Sequence, residues 1–155
     1  MAFETTKDVL DHAREFHGHV SEYYHRLSEK SQKARVKMLL DYMSWHEKEL
    51  EKALAQYEEG VSERVLNTWF QYPPPKGVLE VCMCMNMNFE EREDLTVDDV
   101  VGMALELDKC LIQLYEVMVV RSEYEEVREV FKNLLEAEKR RELDFVRDAM
   151  HLKEI

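Results

Sequence analysis

The chain has 155 residues, 45% hydrophobic and 35% charged, with only four Gly and three Pro and a net charge of −12. That length supports one domain, 1–155, with a real core, and so few chain-breakers favour long helices over a turn-rich fold. An acidic chain without a Lys/Arg-rich run is ill suited to nucleic acid or an anionic membrane surface. No stretch approaches the roughly 20 apolar residues that span a bilayer, and the first residues lack the basic and apolar parts of a signal peptide.

Thr5 and Asp8 form a capping-box variant, so a first helix is expected over 5–28. Its apolar stripe is Val9, Ala13, Phe16, Val20, Tyr24 and Leu27, with His17 beside Phe16. A short connection at 28–31 predicts a second helix over 31–58 returning alongside the first and stopped at Gly60. In it Leu39, Met43, His46, Leu50 and Ala53 fall on one face at helical spacing, with Glu49 on its edge.

Residues 59–95 read as a long crossover, too short for a core of its own. Short helices are expected over 61–67 and 78–88, and the charge run 90–94 as a solvated stretch. Between the two, Trp69-Phe70-Gln71-Tyr72 meets three prolines, which force extended backbone, and packing of these aromatics on the chain's own core is expected. Thr96 and Asp99 repeat the cap pattern and open a third helix over 96–120, with Val101, Ala104, Leu107, Leu111, Leu114, Tyr115 and Met118 inward and Asp108 among them. A fourth helix is expected over 124–152, with Val127, Phe131, Leu134, Glu138, Arg141, Phe145 and Ala149 at core spacing.

The two halves align. Adding 91 takes Thr5 to Thr96, Asp8 to Asp99, His17 to Asp108 and Tyr24 to Tyr115. With one extra residue allowed in the second turn, adding 92 takes His46 to Glu138 and Glu49 to Arg141. Two like hairpins joined by a crossover predict an all-α, antiparallel four-helix bundle with a pseudo-twofold axis. His17, His46, Glu49, Asp108, Glu138 and Arg141 would then gather near mid-bundle.

This layout resembles the ferritin-like superfamily, and its rubrerythrin-type branch in particular, over roughly the whole chain. The resemblance implies a paired metal centre in which each first helix gives a Glu about two turns before a Tyr and each second helix gives Glu-x-x-His. Here the first-helix positions are His17 and Asp108, seven before Tyr24 and Tyr115, and the second-helix motifs read His46-x-x-Glu49 and Glu138-x-x-Arg141. Only Glu138 keeps the family residue, so iron storage, peroxide reduction and oxygen activation do not carry over directly. The resemblance also implies a homodimer, since bundles of this family often pair through helix faces and the crossover.

Arg141 would put a permanent positive charge where one metal's His should be and pair with Asp108 or Glu138. His17, His46 and Glu49, with Asp108 or Glu138 in reach, would suit a single divalent Fe, Mn or Zn, with redox or oxygen-related chemistry. The alternative is a metal-free network of buried salt bridges and hydrogen bonds in a structural or protein-interaction module. His12, His19 and His25 are expected on the solvated outer face of the first helix. The run Cys82-Met83-Cys84-Met85 is expected to pack, not to hold a soft metal, and Cys110 to lie in the core. Three cysteines do not make a disulfide framework, so reduced thiols and a cytoplasmic location are expected. Every nucleophile candidate lies mid-helix without an oxyanion-hole turn, there is no phosphate-binding Gly loop, and no small-molecule substrate can be named.

Overall fold

Caps set the frame. In the computed structural model, which describes residues 5–75, 77–86, 92 and 94–154 (side chains to 152), Thr5 Oγ1 accepts from Asp8 N at 3.2 Å while the Asp8 carboxylate accepts from Thr5 N at 2.9 Å. Thr96 and Asp99 repeat this at 3.1 and 3.0 Å. Each box satisfies two backbone donors that a helix start leaves unpaired. The described residues form the helices α1 (Thr6–Lys30), α2 (Ala34–Glu59), α3 (Glu63–Leu66), α4 (Val78–Asn86), α5 (Val97–Arg121) and α6 (Glu125–Glu154). No strand occurs among them, and none of these helices is long and apolar enough to cross a membrane. The end of the predicted 78–88 helix and most of the 90–94 charge run lie outside the described residues.

The internal repeat keeps one register throughout. α1 and α5 are both 25 residues long, and α2 and α6 begin at 34 and 125, so the offset is 91 across both turns. The turns are built alike. Lys37 Nζ donates to the Ser28 carbonyl at 3.4 Å, and Arg128 Nε donates to the Val119 carbonyl at 3.3 Å, both 91 apart in donor and acceptor. Such cations at a helix C-terminus satisfy its orphan carbonyls. The extra residue expected in the second turn is therefore absent. At a constant offset of 91, Glu47 and not His46 corresponds to Glu138, and Leu50 and not Glu49 corresponds to Arg141.

The stripe predicted for the second helix is rotated for the same reason. The side chains of α2 that turn inward are Val36, Leu40, Met43, Leu54 and Glu58, with Leu39 beside them, while Ala53 is exposed. Glu47 falls on this line at the i+4 position from Met43. α1 and α2 are drawn close by two small residues. Ser21 Oγ donates to the Ser44 carbonyl at 2.7 Å and Ser44 Oγ donates to the Ser21 carbonyl at 2.8 Å. Ser28 closes the same seam on Asp41.

The core runs through both hairpins, with Leu10, Tyr23, Leu40, Leu107, Leu111, Tyr115, Met118 and Phe131 fully buried. The predicted inward residues of α1 are all buried. On α5 the predicted stripe is buried except for Val101, which is half-buried beside the buried Val100. In the connection, Phe70 packs on Phe131 with ring centroids 6.2 Å apart, whereas Trp69 and Tyr72 are 71% and 66% exposed, contrary to the expected packing of the whole run. Cys82 of α4 and Cys110 of α5 form a disulfide, their Cα atoms 5.9 Å apart, and Cys84 is free and exposed. That pairing corrects the expectation of reduced thiols and removes the thiol argument for a reducing compartment.

Candidate functional site

One turn beyond the Ser21–Ser44 clasp, His17 of α1 is 3% exposed and has a carboxylate at each ring nitrogen. Nδ1 lies 3.2 Å from Glu47 Oε1 on α2, and Nε2 lies 3.6 Å from Glu138 Oε1 on α6. Glu138 is equally buried and accepts from Arg141 Nη2 at 3.1 Å through its other oxygen. These contacts join both hairpins through one imidazole. Glu47, Asp108, Glu138 and Arg141 line a small cavity of about 40 Å³, together with Tyr24 and His46. That space is large enough for a water or a single ion.

The electrostatics follow from crowding. Burial alone would push the His17 pKa down, but Glu47 and then Glu138 outweigh it, so the net shift is upward and the imidazolium is favoured. Burial pushes the Asp108 carboxyl well up, and repulsion from Glu47 and Glu138 adds to it, so Asp108 tends to keep its proton. Burial also pushes the phenols of Tyr24 and Tyr115 upward, so both stay neutral. Two buried polar atoms have no hydrogen-bond partner in the cluster, Glu138 Oε1 and Arg141 Nε.

The sequence-predicted residues separate into two groups. His17, Asp108, Glu138 and Arg141 converge. His46 lines the cavity, where it stacks on Tyr42 with ring centroids 5.7 Å apart, and burial lowers its pKa. Glu49 does not reach the cluster: its side chain is 43% exposed and pairs with Lys52 at 3.3 Å. Two residues on from Glu47, it sits about 160° round the helix from the side chain that does reach His17. Glu47 takes the place assigned to it. The uninterrupted 91-residue repeat is the signal that would have found Glu47, since it alone is carried onto Glu138.

No family model matches the chain, nor does any curated protein or solved structure.

Proposed function

We propose that the chain is a ferritin-like, antiparallel four-helix bundle in which a proton on His17 and the guanidinium of Arg141 hold together carboxylates that relatives of this architecture use for metal. On this reading it is a structural or protein-interaction module and not a paired-metal catalyst. The observation that carries it is His17 seated between Glu47 and Glu138, with Arg141 bound to the second. A paired iron centre does not fit the donor set. The positions three residues after Glu47 and Glu138, which would each supply an imidazole, hold Leu50 and Arg141. One is apolar and the other is a fixed cation.

A second reading is favoured by one observation: Glu138 Oε1, 3.6 Å from His17 Nε2, is buried beside the cavity without a hydrogen bond. Three carboxylates against Arg141 leave two negative charges. These can be neutralised by two protons, on His17 and Asp108, or by one divalent Fe, Mn or Zn held by His17, Glu47, Asp108 and Glu138. Such an ion would act as a Lewis acid or one-electron centre, and binding it would expel both protons.

Metal content of the untagged chain and ¹⁵N spectra of its imidazoles separate the two. The proton reading expects His17 doubly protonated at pH 7 and a metal content unchanged by Glu138→Gln, measured with Glu80→Gln in the background. One equivalent that is lost in both Glu47→Gln and Glu138→Gln overturns it.

The interaction role draws on the outer face of α2, where Met38, Tyr42 and Trp45 recur at helical spacing and are 56%, 43% and 59% exposed. We assign this stripe to pairing with a second copy. Sedimentation should show a dimer that Trp45→Glu dissociates, and a monomer at all concentrations removes the assignment.

A further inference from the structure

Away from the buried cluster, α1 and α4 bring three metal-ligating side chains to one point. His12 Nδ1 lies 3.9 Å from Glu15 Oε2 and 3.8 Å from Glu80 Oε1, and one donor atom from each falls within 4.8 Å of the others. Ligands about 2 Å from a common divalent ion lie roughly 3–3.5 Å apart, so a small rotation of the two glutamates closes the set. We propose that His12, Glu15 and Glu80 form a surface site for a single divalent transition metal, with Zn²⁺ the best fit by donor type. The fourth position is open to water.

The placement of the donors is fixed from below. His12 and Glu15 are separated by three residues, which puts them on one face of α1. Glu80 belongs to the first turn of α4, which starts after Gly77, whose φ of 82° is the left-handed backbone a glycine adopts without strain. Its neighbour Leu79 is 4% exposed and anchors the turn in the core, while Cys82 ties the same helix covalently to α5. Glu80 is thus presented to α1 by a helix held on two sides. One imidazole and two carboxylates carry a net charge of −2, which one divalent ion cancels. An imidazole in the set favours zinc over calcium or magnesium, which take oxygen ligands. An ion here would staple α4 to α1, on the face opposite the disulfide's tie to α5.

The test is calorimetric titration of Zn²⁺ into the full, untagged, chelator-treated chain. The expected result is one saturable equivalent, weakened about tenfold or more by Glu80→Gln and by His12→Ala. His46→Ala and Glu47→Gln should leave it unchanged, because both lie on α2 and neither belongs to the His12, Glu15 and Glu80 set; this keeps the outcome separate from the metal reading of the buried cluster. A Co²⁺-loaded chain should show visible absorption that Zn²⁺ displaces and Glu80→Gln abolishes. His12 and Glu80 are partly exposed and Glu47→Gln keeps the shape of its side chain, and circular dichroism checks that each variant is folded. If Zn²⁺ binds equally well to His12→Ala and Glu80→Gln, or binds without a defined stoichiometry, the site is refuted.

Discussion

The charge on Glu47 should stabilise the fold at neutral pH and cease to do so in alkali. At 3.2 Å and an effective dielectric of about 20, the attraction between Glu47 and an imidazolium is about 5 kcal/mol before desolvation is subtracted. Glu47→Gln removes that charge and keeps shape, and the amide oxygen can still accept from Nδ1. Breaking a buried pair costs about 3–5 kcal/mol where the remaining charge cannot escape. His17 can escape by releasing its proton, and Glu138 stays in place, so the expected loss near pH 6 is about 2 kcal/mol. In a chain of this size that lowers Tm by roughly 4–8 °C.

The sign with pH is set by the raised pKa of His17. The stabilisation is complete below the ordinary value of 6.5 and disappears as pH climbs through the higher folded value. Asp108 is shifted the same way, so its contribution also declines with rising pH, from the carboxylate range upward. Thermal melts of both chains between pH 6 and 9 should therefore converge, the wild type losing stability faster. Parallel curves, or a variant more stable than wild type at pH 6, would refute an imidazolium at this position.

Other perturbations test the frame. Gly102 sits inside α5 with open space around its missing side chain, so Gly102→Ala should stabilise by about 0.5–1 kcal/mol in denaturant titration. Gly18→Ala should gain less, because the new methyl would displace the Glu51 carboxylate; an equal gain means Glu51 moves freely. Thr96→Ala removes the acceptor for Asp99 N and should cost about 1 kcal/mol in the same assay. The Cys82–Cys110 bond spans 28 residues, so reduction should cost up to about 3–4 kcal/mol and lower Tm in dithiothreitol; an unchanged Tm would show α4 docked without it.

Much of the frame was legible because its signals are local. Both capping boxes, the stripes of α1 and α5 and the stop at Gly60 are written in residues within a turn of one another. The face of α2 was not. Leu39 and Leu40 are both buried there, so the apolar stripe is broad enough to fit two registers about 60–100° apart, and a search for apolar residues prefers the one containing Leu50 and Ala53. The correct face carries Glu47 in its middle, and a carboxylate looks like solvent until its partner on another helix is known. His17 and Asp108 escaped this ambiguity because Phe16 and Leu107 stand beside them and Ala13, Val20, Ala104 and Leu111 lie a turn away. The disulfide was invisible for a similar reason: Cys82 and Cys110 are brought together by how α4 docks on α5, not by any spacing along the chain.

The repeat gives the buried cluster its meaning. Under the offset of 91, Tyr24 and Tyr115 match, and so do Glu47 and Glu138, which makes the framework of the two hairpins equivalent. The charged departures are His17 against Asp108 and Leu50 against Arg141, with His46 standing against Ala137 on the cavity wall. Each charged departure replaces a symmetric demand with a complementary pair of residues. A symmetric centre needs external cations, because like carboxylates facing each other across an axis repel. Here one hairpin supplies an imidazole and the other a guanidinium and an acid that tends to stay protonated, so the carboxylates at Glu47 and Glu138 find their counter-charges inside the chain. Restoring symmetry should reverse this. Arg141→His with Leu50→His removes the fixed cation and adds two imidazoles beside Glu47 and Glu138, and this double variant should bind a divalent metal in the core where the parent chain does not. If its metal content, with Glu80→Gln in the background to silence the surface site, equals that of the parent, then the internal cations are not what stands in for metal.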